Sequence, residues 1–137
     1  MAMGVNELMI GDWFSFNNTF HRVSALKESM SWDLIGFRIS NQLHWITGDE
    51  VQPIRLTHYM LLANGWKETV DEWNTAVDGK YASYYIGEAH NPELAIAYIS
   101  EHDGFYVANM KVKFVHEFQH VLRLLGFTRM ANNFLLK

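Results

Sequence analysis

The sequence of 137 residues contains no cysteine and only two prolines. Without cysteine, neither a disulfide scaffold nor a thiolate metal site can form, and this composition suits a reducing compartment, so we expect a cytoplasmic protein. No window contains about 18 consecutive apolar residues, so the sequence predicts no transmembrane helix. The segment Met1–Asn6 has neither the basic nor the apolar part of a signal peptide. We therefore expect no membrane partner.

Positive charge is also scarce, because eleven Lys and Arg oppose fifteen Asp and Glu and leave a net charge of -4. Proteins that bind nucleic acid broadly need many cations to neutralise phosphates. We therefore expect no broad nucleic-acid binding. A local basic patch near the C-terminus is an alternative, because four cations are close in sequence there: Lys111, Lys113, Arg123 and Arg129.

The chain has enough apolar residues for one core, with 49% hydrophobic and 19% charged residues. A chain of this length can bury most of the surface that its unfolded form exposes. The sequence shows no internal repeat, low-complexity segment or linker. It therefore predicts one domain over residues 1–137, and the order of strand and helix patterns predicts an α+β fold.

Residues 9–52 predict four short strands joined by tight connections. Turn residues occur at Asn17-Asn18 and at Asn41-Gln42, with largely apolar runs on each side. Antiparallel strands with such short connections form a meander. We expect this meander to curl into a small barrel-like N-terminal half.

Residues 66–112 return to strands and form a predicted β-hairpin region. Asp78-Gly79 is a hairpin-turn signal. The pattern of Leu94–Ile99 fits a strand or a helix, and we favour a strand because a turn follows at His102-Asp103-Gly104. Asn91-Pro92 indicates a loop.

Two helices are predicted. A short middle helix covers His58–Asn64, with Thr57 as its N-cap and Gly65 just beyond its end. A longer amphipathic helix covers residues 112–125 and ends before Gly126. Its apolar stripe contains Val115, Phe118, Leu122 and Leu125. The pattern of residues 127–137 favours neither a helix nor a strand.

The longer helix contains the one pattern with catalytic character, His116-Glu117-Phe118-Gln119-His120. Two histidines four residues apart share a helix face and can bind the same zinc ion. The adjacent Glu117 can then act as a general base on metal-bound water. One interpretation is thus a minimal zinc metallohydrolase, with His116 and His120 as metal ligands and Glu117 as the catalytic base.

Three observations oppose this interpretation. A catalytic zinc needs a third protein ligand, and no His, Asp, Glu or Cys follows His120. Arg123 shares the face of the histidines, where a fixed positive charge disfavours a metal. The polar side of an amphipathic helix ordinarily faces water. Nothing selects a third ligand from the upstream candidates, which are Glu88, His90, His102 and Asp103. We therefore expect no metal, no cofactor and no catalytic residue.

The segment Val115–Gly126 resembles the closing segment of a group of small proteins from gut Bacteroidetes and their phages or mobile elements. That closing segment has the pattern V-H-x-L-Q-x-L-x-x-x-L-x-G. The segments Ile10–Trp13 and Pro53–Trp66 are also similar, in the expected order. In that group the Glu is often Gln and the final His is often Asn, so the resemblance implies neither a base nor a second zinc ligand. It implies a phage or mobile-element origin, and it transfers no activity because the group carries no known one.

Aromatic residues make up 15% of the chain, and their large buried area mainly builds cores. In the predicted strand Tyr81–Ile86, Tyr84 points to one face, and Tyr81 and Tyr85 point to the other. Core packing explains one face. The other is a candidate platform for a ligand or a second subunit, so Tyr81, Tyr84 and Tyr85 mark a possible binding face.

Three functional hypotheses follow. The first is a non-enzymatic accessory or binding protein of a phage or mobile element, which acts on a host protein or a small ligand. The second is the zinc metallohydrolase described above. The third is a structural homo-oligomeric protein in which the aromatic face or a helix pairs subunits. The sequence identifies neither the partner nor the ligand.

Overall fold

The computed structural model describes residues 8–28, 33–68, 81–88 and 91–136. The chain forms two compact units, Met1–Arg55 with Phe114–Asn133, and Leu56–Lys113 with Phe134–Lys137. The described residues contain antiparallel strand pairs and three α-helices, which confirms the predicted α+β class. The single domain over residues 1–137 stays a prediction. In chain order the elements are β1 (Trp13–Phe16), β2 (Thr19–Arg22), β3 (Ala25–Glu28), β4 (Asp33–Ile39), β5 (Gln42–Thr47), α1 (His58–Ala63), β6 (Lys67–Glu68), β7 (Tyr81–Glu88), β8 (Asn91–Ile99), β9 (Gly104–Val107), β10 (Met110–Val112), α2 (Val115–Leu124) and α3 (Thr128–Asn132).

The first unit begins with the β1–β2 hairpin. Both residues of its turn, Asn17 and Asn18, have positive φ angles, of 50° and 62°. Asparagine tolerates this conformation, and a two-residue turn with two positive φ angles matches the twist of the flanking strands. The turn predicted at this position is therefore confirmed.

A three-stranded sheet in the order β3-β4-β5 follows. Its second turn lies at Ser40 and Asn41, which have φ angles of 50° and 68°. The turn predicted at Asn41-Gln42 is wrong by one residue, because Gln42 already pairs with Ile39 in the sheet.

In the described residues, β1–β5 form two separate sheets of two and three strands. A barrel requires continuous pairing around a closed sheet. Here the strand pairing is interrupted between β2 and β3. The predicted barrel-like half is therefore only a loose description of this antiparallel region.

The inner face of the three-stranded sheet is buried, because its apolar residues recur with the strand period of two. Ile35 and Phe37 of β4 are buried, whereas Arg38 is exposed. Phe37 packs edge-on against Phe14 of β1, with ring centroids 5.6 Å apart. The resulting core cluster contains Leu8, Phe14, Val23, Ile35, Phe37, Ile46 and Val51.

Helices α2 and α3 complete the first unit. Val115, Phe118 and Leu122 are fully buried, so the predicted apolar stripe of α2 is confirmed for these residues. The helix begins later than residue 112, because Val112 still pairs with Phe105 in a strand. Gly126 has a φ of +93° just beyond the helix, as a helix-ending glycine does. The sequence did not predict α3.

Helix α1 opens the second unit and has the predicted ends. The Thr57 hydroxyl oxygen accepts a hydrogen bond from the Met60 N–H at 3.3 Å. Gly65 follows the helix with a φ of +89°. The Asn64 side chain accepts from the Leu135 N–H at 2.7 Å and donates to the Leu135 carbonyl at 2.9 Å. These two bonds hold the C-terminal segment beside the end of α1.

The five-stranded sheet of the second unit has the order β10-β9-β8-β7-β6. The strand predicted over Leu94–Ile99 is confirmed as part of β8. The loop predicted at Asn91-Pro92 is wrong, because both residues lie in β8. The register shifts at Ile86/Gly87, and Gly87 is the partner of Pro92. A bulge tolerates a residue that lacks an N–H. The Asp78-Gly79 turn lies outside the described residues.

Candidate functional site

The side chain of Glu117, the predicted catalytic base, caps its own helix. Its Oε1 accepts a hydrogen bond from the Phe114 backbone N–H at 3.0 Å. The first N–H groups of a helix have no partner within the helix, and a carboxylate at the third position can satisfy one of them. Glu117 therefore stabilises the start of α2.

The side chain of His120, the predicted second zinc ligand, pairs with the carboxylate of Asp12. The Asp12 side chain is fully buried, and its Oδ2 accepts from His120 Nε2 and from the Met9 N–H at 2.8 Å. Its Oδ1 accepts from Arg123 Nη1 at 2.6 Å. A buried carboxylate is costly unless it is paired and hydrogen-bonded. His120 and Arg123 supply that pairing, so the polar side of α2 supports the fold.

Gln119, in the middle of the motif, is also fully buried. Its Oε1 accepts from the Trp13 N–H at 2.9 Å. Its Nε2 donates to the Gly11 and Ala131 carbonyls, both at 3.0 Å. One side chain thus joins the start of β1, helix α2 and helix α3. The expectation that the polar side of α2 faces water is wrong for Gln119 and for His116, which is only 7% exposed.

The two histidines of the motif do lie beside each other, as their spacing predicts. The ring centroids of His116 and His120 are 5.7 Å apart, and the rings are nearly perpendicular. Within the described ranges, however, no three His, Cys, Asp or Glu side chains are grouped so that they could hold a metal ion.

The upstream candidates for a third ligand have other partners or lie outside the description. His102 shares a hydrogen bond of 2.8 Å with the Tyr106 hydroxyl, and Asp103 faces Lys113 Nζ at 3.8 Å, both in the second unit. His90 lies outside the described residues, as does the side chain of Glu88.

Asp12 is the site residue that sequence reasoning missed. No local pattern marks an aspartate for pairing with a helix 108 positions later. One signal linked the two parts of the sequence: Ile10–Trp13 and Val115–Gly126 both resemble segments of the same group of proteins. Gln119 and His120 bring these two segments into direct contact.

The tyrosines of β7 divide between the two faces of its sheet. Tyr84 is only 2% exposed and lies on the inner face, where its hydroxyl hydrogen-bonds His58 Nδ1. The His58 ring lies 4.6 Å from the Tyr98 ring and 5.3 Å from the Phe105 ring, measured between centroids. Tyr84 and Phe105 of this inner cluster are buried, whereas His58 lies at its exposed edge.

Burial sets the protonation of this inner cluster. It raises the pKa of Tyr84 to about 12, and the charge of Glu68 and the nearby Tyr98 add to the increase. Burial also lowers the pKa of His58, which the carboxylate of Glu68 partly offsets. Both side chains are therefore uncharged near neutral pH.

The opposite face of this sheet is open to solvent. Its alternating positions form two cross-strand rows, Lys67–Tyr85–Ala95 and Ser83–Ala97–Tyr106–Lys111. We call these seven residues the outer tyrosine face. Ala95 and Ala97 are exposed and form its floor. Tyr81 pairs with Ile99 in the same sheet, and its side chain lies outside the description.

Two contacts orient the tyrosines of the outer tyrosine face. Lys67 Nζ lies 6.0 Å from the centre of the Tyr85 ring, at the limit of a cation–π contact. The hydrogen bond shared with His102 fixes the hydroxyl of Tyr106. The seven residues include two lysines, which favour negative charge near them, and the exposed Glu93 borders the face beside Gly87. Tyr106 and the lysines were not predicted, because strand register decides which residues share a face.

Comparison with known proteins gives no relative: no family model, no curated protein and no solved structure matches this chain. In the part of the chain that the structure describes, no helix has the length and apolar character needed to cross a membrane.

Proposed function

We propose that this chain is a non-enzymatic binding protein of a phage or mobile element, and that it binds a small ligand on the outer tyrosine face. The main observation in its favour is that two half-buried tyrosines and two exposed lysines surround the exposed Ala95 and Ala97. The side chains of the competing zinc interpretation instead support the fold: Glu117 caps α2, and His120 pairs with the buried Asp12.

The spacing of the outer tyrosine face favours a flat, ring-bearing ligand. Tyr85 and Tyr106 lie on strands separated by β8 and in neighbouring rows, so their backbones are about 12 Å apart. The floor between them carries only small side chains, which leaves room for a ring to contact a tyrosine. The lysines lie at the two ends of the face and favour an anionic group on the ligand. The expected ligand class is a ring-bearing anion.

A thermal-unfolding titration with three probes tests this proposal. Adenosine monophosphate carries both a ring and an anionic group, whereas adenosine and inorganic phosphate each carry one. A ligand at 100 times its Kd stabilises the folded state by about 2.7 kcal/mol. We expect the nucleotide to raise the melting temperature more than either of the other probes.

Ala97→Leu provides the matched variant. It places a larger side chain on the exposed floor and should abolish the effect of the nucleotide. Ala63→Leu changes an exposed alanine of α1, away from this face, and should preserve the effect of the nucleotide. The absence of a nucleotide effect on the unmodified chain, or an effect that Ala97→Leu preserves, would contradict the proposed ligand face.

A further inference from the structure

The edge strand β5 of the first unit has features of a pairing surface. Among the described residues, β5 hydrogen-bonds only to β4, so its other edge presents backbone groups without a strand partner. Its sequence, Gln-Leu-His-Trp-Ile-Thr, contains no charged residue and no proline. Proteins ordinarily protect edge strands with such residues, because an open edge is a template for another strand.

Apolar side chains accompany this open edge on the outer face of the sheet. Leu43 is 38% exposed and Trp45 is 43% exposed. Both lie over Gly36 of β4, at 3.2 and 3.1 Å from the position that a Cβ atom would occupy there. Gly36 therefore lets the Trp45 ring lie close to the sheet, which leaves an apolar stripe beside the edge.

The two ends of β5 carry opposite charges. At its start, Arg38 Nη1 donates to the Asn41 carbonyl at 3.2 Å, which holds the guanidinium near the turn into β5. At its end, the exposed Asp49 and Glu50 follow directly. An antiparallel partner strand with the same sequence would bring each basic end next to an acidic end. A parallel partner would bring like charges together.

We propose that two copies of this chain associate through β5, antiparallel about a two-fold axis, to form one continuous six-stranded sheet. A two-fold interface uses the same surface on both copies. Directly opposed residues in an antiparallel pair point to the same face. His44 lies opposite His44 of the second copy. Leu43 lies opposite Trp45 of the second copy, and the reverse contact repeats across the axis.

This register is favoured because it pairs apolar side chains twice and turns the end of each copy that carries Arg38 toward the end of the other that carries Asp49 and Glu50. Main-chain hydrogen bonds supply the attraction, as in other cases of strand addition. The dimer is independent of the outer tyrosine face, which belongs to the second unit.

Disulfide cross-linking tests the register cleanly, because the natural chain has no cysteine. Opposed Cα atoms in antiparallel strands are about 4.5–5.5 Å apart, within the range that a disulfide spans. His44→Cys should give a covalent dimer under mild oxidation. Lys27→Cys is the control, because this exposed residue lies on β3, at the opposite edge of the same sheet. It should cross-link far more slowly.

A mixture of Leu43→Cys and Trp45→Cys chains should form the mixed disulfide in preference to either homodimer. Strong self-linking of Trp45→Cys would overturn the proposed register. Equal cross-linking of His44→Cys and Lys27→Cys, with a monomer in sedimentation analysis of the unmodified chain, would overturn the dimer itself.

Charge reversal gives a second test that leaves the core unchanged. R38E and E50K alter exposed side chains, and each should weaken association. R38E makes both ends of β5 acidic, and E50K offsets the charge of Asp49. A one-to-one mixture of the two variants should associate more strongly than either alone, because one of its two contacts keeps the natural Arg38 and the natural acidic pair. Failure of the mixture to associate more strongly than R38E or E50K alone would contradict the antiparallel arrangement.

Discussion

The imidazole of His120 and the carboxylate of Asp12 form a partly buried hydrogen-bonded pair, although 108 positions separate the two residues in the sequence. The carboxylate is fully buried, while the imidazole is 31% exposed and the Arg123 side chain is 11% exposed. The negative charge of this network is therefore buried, and the guanidinium that balances it lies nearer the surface. Removal of Arg123 leaves that buried charge poorly balanced.

Arg123→Ala should destabilise the first unit by about 3 kcal/mol, because the buried Asp12 carboxylate loses the positive charge and the hydrogen bond of Arg123. Urea unfolding measures this change. Arg129→Ala is the matched control, since Arg129 is exposed, and it should change stability by less than about 0.5 kcal/mol. Similar effects of the two substitutions would show that the Asp12 pair contributes little.

Glu117→Ala should cost about 1 kcal/mol, because the Phe114 N–H loses its acceptor. Glu117→Gln retains an amide oxygen that can accept the same bond, so most of the stability should return. Chemical denaturation of both variants distinguishes them. A capping role requires this recovery, and an equal loss in both variants would indicate that the charge of Glu117 matters more than its hydrogen bond.

Zinc should not stabilise the protein, because His120 Nε2 is occupied by Asp12. Elemental mass spectrometry on untagged protein, purified without a chelator, should find far less than one zinc per chain. His120→Ala should lower the melting temperature equally with and without added zinc. About one zinc per chain, lost in His120→Ala, would instead restore the metallohydrolase interpretation.

The buried Tyr84 should make the second unit sensitive to alkali. Its pKa is about 12 in the folded state, above the ordinary value of 10.0. The corresponding stabilisation is present below pH 10 and is lost as the pH rises through the folded value. Tyr84→Phe should remove part of this alkaline loss in unfolding measured between about pH 8 and 11. An unchanged pH dependence would contradict the burial of the phenol.

The local features of the fold could be predicted from the sequence, because short-range backbone requirements determine them. Asn17-Asn18, Gly65 and Gly126 occupy positive φ positions where these residues are favoured. The spacing of Val115, Phe118 and Leu122 also indicates the buried face of α2 without knowledge of its neighbours.

The site could be predicted only in part, because it depends on contacts between distant segments. The helical spacing correctly places His116 beside His120. It does not reveal that Asp12 lies against this face, and the expectation of a solvated polar side was wrong for that reason. The loop expected at Asn91-Pro92 failed similarly, because strand pairing and a bulge accommodate the proline.

The contacts of Gln119 with Gly11 and Trp13 have a consequence for biosynthesis. The first unit is discontinuous, since residues 56–113 intervene between its two parts. During translation the strands of residues 13–47 leave the ribosome well before α2 exists, and long-range contacts of this kind form slowly. Until α2 has left the ribosome, the nascent chain exposes the surface that α2 covers in the folded unit, together with the unpaired edge of β5. This interval is when the chain is most open to aggregation or to capture by a chaperone.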